Sequence, residues 1–356
     1  MEKIFIKGNE AIGLAAIKAG CKGFFGYPIT PQNEVPEYLS RELPLNGGVF
    51  IQAESEIAAI NMVYGAGGCG ARVMTSSSSP GIALKQEGIS YLCGAEVPCL
   101  IVSVMRGGPG LGGIQPSQAD YFQATRGGGN GDYYHPIYAP ATVQETMELI
   151  YEAFDVADIY KIPTMVLLDG VIAQVMEPVI LPEYIPRKDL PKNKDWATTG
   201  TKGKRKPNII NSLFLNPNDL EEHCNKLDSK YKKIIENEIK WETFNCENSE
   251  ILLVAYGTTS NICKNAIELL KKEAIDVGLF RPISIWPFPK EQIHEIAKNK
   301  KFILTVEMSK GQMIEDVKLS INGITPVYFF GRTGGIIPTE EEIVQEIKRL
   351  LQGGNL

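Results

Sequence analysis

Four short apolar runs punctuate the first half of the chain: GFFGYP (Gly23 to Pro28), ARVMTS (Ala71 to Ser76), CLIVSVM (Cys99 to Met105) and TMVLLDG (Thr164 to Gly170). Glycine-rich turns and helical stretches lie between them. Continuous rather than alternating apolar runs mark strands buried on both faces, so residues 1–185 are predicted to form a doubly wound, mostly parallel α/β sheet. Ligands of such sheets gather at the carboxyl ends of the strands. The pattern breaks at PRKDLPKNKDWATTGTKGKRKPN (Pro186 to Asn208), which offers almost nothing to bury and reads as an exposed linker or lid. A helix follows with Leu220, Cys224, Leu227, Tyr231 and Ile234 in one stripe, so residues 186–248 read as linker and helical connection. From 249 to 356 the alternation returns on a smaller scale in ILLVAYG, DVGLF, KFILTVE and TPVYFFG, with a last helix from Thr339. This predicts a second doubly wound domain.

One run carries a residue its pattern does not need. QAESEIAAINMVYGAG (Gln52 to Gly67) predicts an apolar helix in which Glu56 shares a face with Ala59, Ile60 and Val63, while Glu54 points toward Asn61 and water. A carboxyl among apolar groups is suited to proton chemistry or to a strong hydrogen bond with a ligand. The alternative is that both acids only complement the positive start of the helix.

Two loops fall at the same sheet edge. In GYPITPQNE (Gly26 to Glu34), Pro28 and Pro31 stiffen a turn that presents Thr30. In VMRGGPGLGGIQPSQAD (Val104 to Asp120), Arg106 leaves an apolar strand for seven residues of which five are glycine. An arginine there can fork onto a carboxylate ligand, or else cap strand ends or pair with a core acid. SSSSPG (Ser76 to Gly81) adds hydroxyls and a turn to the rim. One acid, one arginine and one loop threonine suit a cofactor ring beside an anionic substrate. GAGGCG (Gly65 to Gly70) matches a dinucleotide fingerprint on paper, but it ends a helix and precedes a strand, the reverse of what that fingerprint needs.

Composition narrows the classes. Apolar residues make up 44% and charged residues 22% of 356, and the net charge of −6 argues against a nucleic-acid or membrane-surface partner. No run reaches the length of a membrane span, and a cytoplasmic protein is expected. The seven cysteines are an odd number without a CxxC, and there are three histidines, so neither a disulfide framework nor a metal site in this chain is expected.

YPITP, ESEIAAINMVYGA and MRGGPGLGG, in this order, resemble the α subunit of 2-oxoacid:ferredoxin oxidoreductases, in particular the 2-oxoisovalerate (3-methyl-2-oxobutanoate) type. The resemblance runs from GNEAIGLAAIKAG (Gly8 to Gly20) through the C-terminal domain. It implies a thiamine diphosphate pyrimidine-binding domain followed by a domain like the C-terminal one of transketolases. It also implies oxidative decarboxylation of a branched-chain 2-oxoacid to its acyl-CoA, with electrons passed to ferredoxin. Glu56 would then hydrogen-bond N1′ of the aminopyrimidine and favour the tautomer whose N4′ takes the proton from C2 of the thiazolium. Thr30 and Arg106 match positions that contact the substrate, and Tyr27, Pro28, Ile29 and Ser78 are assigned to the cofactor alongside Glu56. The chain has no GDG motif for the diphosphate and its Mg2+ and no clustered cysteines for iron-sulfur clusters. The resemblance therefore implies a β subunit for the former, a ferredoxin-like iron-sulfur subunit for the latter, and a γ subunit associated with coenzyme A use.

Three rivals stay open in the sequence. The same chemistry on 2-oxoglutarate or pyruvate is one, with Arg126 available as the cation for a second carboxylate. A non-catalytic interaction subunit retaining the fold is another. A nicotinamide dehydrogenase is the third.

Overall fold

The computed structural model describes residues 3–353. The first region opens with β1 (Lys3–Lys7), α1 (Gly8–Lys18), β2 (Gly23–Gly26), α2 (Glu34–Leu45), β3 (Val49–Gln52), α3 (Glu56–Gly68), β4 (Val73–Ser78) and α4 (Ser79–Gly94). It continues through β5 (Cys99–Met105), α5 (Tyr121–Thr125), β6 (Ile137–Tyr138), α6 (Val143–Tyr160), β7 (Pro163–Asp169), α7 (Gly170–Gln174) and β8 (Met176–Ile180). The connecting helix α8 (Pro217–Asn237) leads to β9 (Trp241–Phe244), β10 (Ile251–Val254), α9 (Thr258–Lys271), β11 (Val277–Pro282) and β12 (Ser284–Trp286). The chain closes with α10 (Lys290–Ala297), β13 (Phe302–Glu307), α11 (Met313–Ile321), β14 (Val327–Gly331) and α12 (Glu340–Leu351).

The four apolar runs of the first half become β2, β4, β5 and β7. They lie inside a seven-stranded sheet of order β12-β6-β7-β5-β4-β2-β3, parallel throughout except where β12 joins β6. Every residue of β4 and β5 is buried, which is why their sequences do not alternate. The second sheet, β14-β13-β10-β11-β9, is parallel apart from its edge strand β9. β12 leaves the second region to pair with the first sheet, and one apolar core runs across both, joining Met105 and Tyr121 to Tyr256, Phe280 and Met313. The antiparallel pair β1 and β8 stands apart from both sheets.

Two local expectations change. The apolar helix starts at Glu56, not Gln52, because Gln52 closes β3 and Ser55 caps the helix, its Oγ accepting the Ala58 N–H at 3.2 Å. The segment 186–208 has neither helix nor strand, yet it is tied down: Lys194 Nζ lies 2.5 Å from Asp158, Arg187 lies 2.9 Å from Glu238, and Ala197 is buried. Polar anchors replace the apolar ones that the composition lacks. Of the helical stripe that follows, Leu227, Tyr231 and Ile234 are buried and Leu220 and Cys224 overhang exposed.

Candidate active site

Parallel strands deliver their loops to one edge, and β2, β4 and β5 bring the Thr30 loop, the serine run and Arg106 there. Arg106 follows β5 directly and is buried; its Nη1 donates to the Thr30 carbonyl at 3.0 Å and its Nη2 to the Leu111 carbonyl at 3.2 Å. One guanidinium thus joins the two loops. Among the described residues it forms no ion pair with a core acid, and its buried Nε–H has no hydrogen-bond partner. The glycine-rich loop folds back on itself, Gly113 N–H donating to the Gly107 carbonyl at 2.8 Å.

Positions missed in the sequence hold these loops. Asn9 Nδ2 donates to the Pro31 carbonyl at 2.8 Å and to Glu34 at 2.7 Å, and Gln174 Nε2 donates to the same carbonyl at 2.5 Å. Ser79 Oγ accepts the Arg106 backbone N–H at 3.0 Å and donates to Asp120. Burial raises the Asp120 carboxyl to about 6, against the Ser79 hydrogen bond and the positive charge of Arg106. A cleft of about 580 Å³ opens beside Thr30, lined by Pro31, Glu34, Ile114, Val171 and Gln174 among others. Arg126 is not part of this edge. It is 2.8 Å from Asp316 of α11, where it ties the two regions together.

Glu56 is buried at the first position of α3, with Ala59, Ile60 and Val63 buried on the same face and Glu54 exposed. Its neighbour across the helix pair is Gly81 of α4, where a Cβ would stand 2.8 Å from Glu56 Oε1 and collide with Ser77 Oγ. The Ser77 and Ser78 hydroxyls and the Lys85 ammonium are buried near this point without hydrogen-bond partners. Burial lowers the Lys85 ammonium to about 8, opposed by the Glu56 carboxylate. Tyr27 and Pro28 are exposed at the end of β2, and Ile29 and Thr30 are half-buried. Unpartnered buried donors and acceptors beside an acid are the expected lining of a ligand site, since native proteins rarely leave such groups unpaired. A nitrogen heterocycle carrying both donors and acceptors fits that donor set.

Residues 14–240 match the family model described as pyruvate flavodoxin/ferredoxin oxidoreductase, thiamine diphosphate-binding, and residues 249–343 match pyruvate:ferredoxin oxidoreductase core domain II. The chain belongs to the 2-oxoacid:ferredoxin oxidoreductase family. Within that family it is 46% identical to the ketoisovalerate oxidoreductase subunit VorB of Methanothermobacter marburgensis, over 98% of both chains. It is 34% identical to the 2-oxoglutarate synthase subunit KorA of Methanocaldococcus jannaschii, over 98% of this chain and 100% of the relative. Among solved structures, the 2-oxoglutarate:ferredoxin oxidoreductase of Magnetococcus marinus, with 2-oxoglutarate, coenzyme A and succinyl-CoA bound, superposes with a TM-score of 0.87 at 28% identity. That match covers 98% of this chain and 65% of the other. A split-gene transketolase shares the fold at a TM-score of 0.61 and 14% identity. Among the described residues, no helix of this oxidoreductase-family chain is long and apolar enough to cross a membrane.

Proposed function

We propose that this chain is the α subunit of a thiamine-diphosphate-dependent 2-oxoacid:ferredoxin oxidoreductase that converts a branched-chain 2-oxoacid, 2-oxoisovalerate, to its acyl-CoA. The observation that carries the reading is the assembly at one sheet edge of a buried acid, Glu56, and a buried arginine, Arg106, already joined to Thr30. Bound thiamine diphosphate would supply a nucleophilic carbon and an electron sink for decarboxylation. Glu56 presents one oxygen toward Gly81 and would hydrogen-bond the pyrimidine, with the Ser77 and Ser78 hydroxyls available as further partners. The Arg106 Nε–H faces no protein acceptor, so it is available to orient a carboxylate. Thr30 Oγ1 accepts from Asn33 at 3.4 Å and keeps its own proton to donate to an oxo group. Tyr27, Pro28 and Ile29 lie along the approach.

The branched-chain assignment is supported by the lining of the cleft beside Thr30. Ile114 and Val171 offer an aliphatic side chain contact area, and among the described residues the lining has no lysine or arginine for a second carboxylate, while Glu34 is itself paired with Lys7 at 2.8 Å. Arg126 is occupied by Asp316. The 46% identity to a ketoisovalerate oxidoreductase subunit against 34% to a 2-oxoglutarate synthase subunit points the same way. A β subunit carrying the diphosphate and Mg2+ would cover the exposed Ile57 and Leu84, which flank Glu56 on α3 and Gly81 on α4. Iron-sulfur and γ subunits would carry electrons to ferredoxin and serve coenzyme A.

The test is oxoacid-dependent viologen reduction by the reconstituted complex. Faster turnover of 2-oxoisovalerate than of 2-oxoglutarate or pyruvate is expected, and equal or better rates with 2-oxoglutarate would overturn the substrate. Glu56→Gln should remove most of the rate, whereas an interaction subunit without catalytic duty would tolerate it.

A further inference from the structure

Lys85 is the most completely buried charged side chain in the neighbourhood of the site, and the mechanism above leaves it without a task. It lies on α4 one turn beyond Gly81 and one turn before Gly88, on the face that α3 packs against. Gly81 makes room there for the Glu56 carboxylate, and Gly88 makes room for Ile60, one turn further along α3. The lysine therefore enters the helix interface between the two contact points. Its surroundings are apolar on both helices, with Ile60, Ile82 and Ile89 all buried. Among the described residues no group accepts a hydrogen bond from its ammonium, and the charge that acts on it is that of Glu56. A buried cation without a hydrogen-bonded partner is costly, so a fold keeps one where its charge is used.

We infer that Lys85 is a positioning residue for the family's reaction: its ammonium is the fixed counter-charge that holds the Glu56 carboxylate at Gly81, ready for the cofactor. The inference rests on the role proposed for Glu56. Charge attraction along the helix interface keeps the carboxylate from swinging out past the exposed Ile57 toward solvent. Burial lowers the ammonium to about 8 against the opposing charge of Glu56, so the lysine is kept in the interface at a cost.

The experiment is a double-mutant cycle read on thiamine diphosphate binding to the assembled complex by calorimetry, with turnover and thermal unfolding alongside. Lys85→Met should weaken cofactor affinity about tenfold, within the range of coupling between interacting residues. It should lower kcat and leave KM for the oxoacid unchanged, because Arg106 and Thr30 are untouched. Its melting temperature should change by only a few degrees, because the cost of burying the ammonium is removed while Glu56 loses its counter-charge. In a Glu56→Gln background the same change should alter affinity less than about twofold. Lys85→Gln, polar but uncharged, should resemble Lys85→Met if charge is what matters, and it serves as the second variant should the methionine fail to fold. Equal losses with and without Glu56, or a raised KM with a melting temperature lowered by far more than a few degrees, would overturn the inference and leave the reading of Glu56 standing. If Glu56→Gln itself binds cofactor and turns over normally, the functional reading fails first.

Discussion

Gly81 leaves the space that the Glu56 carboxylate fills: a Cβ on that glycine would stand 2.8 Å from Oε1 and 3.0 Å from Cγ of the acid. Real Cβ contacts are not that short, so either Glu56 or Ser77 must move when the methyl is added. Gly81→Ala is expected to cost about 1–3 kcal/mol of local packing. The functional effect should exceed the structural one. Cofactor affinity of the assembled complex, measured by calorimetry, should fall about tenfold or more while the unfolding temperature changes by only a few degrees. Unchanged affinity would mean that the position of Glu56 does not matter to the cofactor.

Arg106 makes a different kind of prediction because its guanidinium serves two ends. Its fork ties the Thr30 and Leu111 carbonyls while Nε remains without a protein acceptor. Lysine keeps the charge but cannot bridge two carbonyls and a carboxylate together. Arg106→Lys should raise KM for the oxoacid roughly tenfold or more, with thiamine diphosphate affinity nearly unchanged. Steady-state kinetics on the reconstituted complex decide it, and a change in cofactor affinity of the same size would place Arg106 on the wrong ligand.

The parts of this fold that were legible in the sequence are those where burial leaves one choice of residue. Strands β2, β4, β5 and β7 had to be continuously apolar or small because helices cover both faces, and Glu56 stood out against an apolar helical face for the same reason. Lys85 was overlooked although the signal existed. It stands three residues after Ile82 and four before Ile89, in the middle of a buried stripe, where a lysine is as anomalous as Glu56 is on α3. β6 and β12 were not legible, because two- and three-residue strands gain their identity from the partner they meet rather than from their own pattern. The anchoring of residues 186–208 escaped for a related reason, since ion pairs such as Lys194 with Asp158 leave no periodicity to read.

Asp120 should give the protein an unusual response to pH. Its folded carboxyl titrates at about 6 against an ordinary 3.8, with burial outweighing Ser79 and Arg106. Between those values the folded state binds more protons than the unfolded state, so the contribution of Asp120 is fully present below about pH 3.8 and is lost as pH rises through about 6. Asp120→Asn, which can still accept from Ser79, removes that loss. The variant should gain stability relative to the parent on going from pH 4.5 to pH 7.5, on the order of 1–3 kcal/mol. Parallel thermal melts at the two values check it, and a constant difference would show that the carboxyl is not titrating in this window.

Gln118 offers a test of how far the second region supports the site. Its side chain is fully buried, Nε2 donating to the Tyr256 carbonyl at 2.7 Å and Oε1 accepting the Met308 N–H at 2.9 Å, while its own N–H donates to the Met308 carbonyl at 2.9 Å. These bonds fix the far end of the loop that begins at Arg106 to the ends of β10 and β13. Gln118→Ala strands the buried Met308 N–H, worth about 1–3 kcal/mol when left unpaired, while the Tyr256 carbonyl keeps the Thr259 hydroxyl at 2.8 Å. Stability should therefore drop by several degrees. If the second region also holds the loop in its working position, KM for the oxoacid should rise at temperatures where the variant remains folded, without any change in thiamine diphosphate affinity, because Glu56 and Gly81 belong to a different pair of helices. A variant that is destabilised yet keeps its KM would confine Gln118 to holding the two regions together and would leave Arg106 dependent only on Thr30, Leu111 and Ser79.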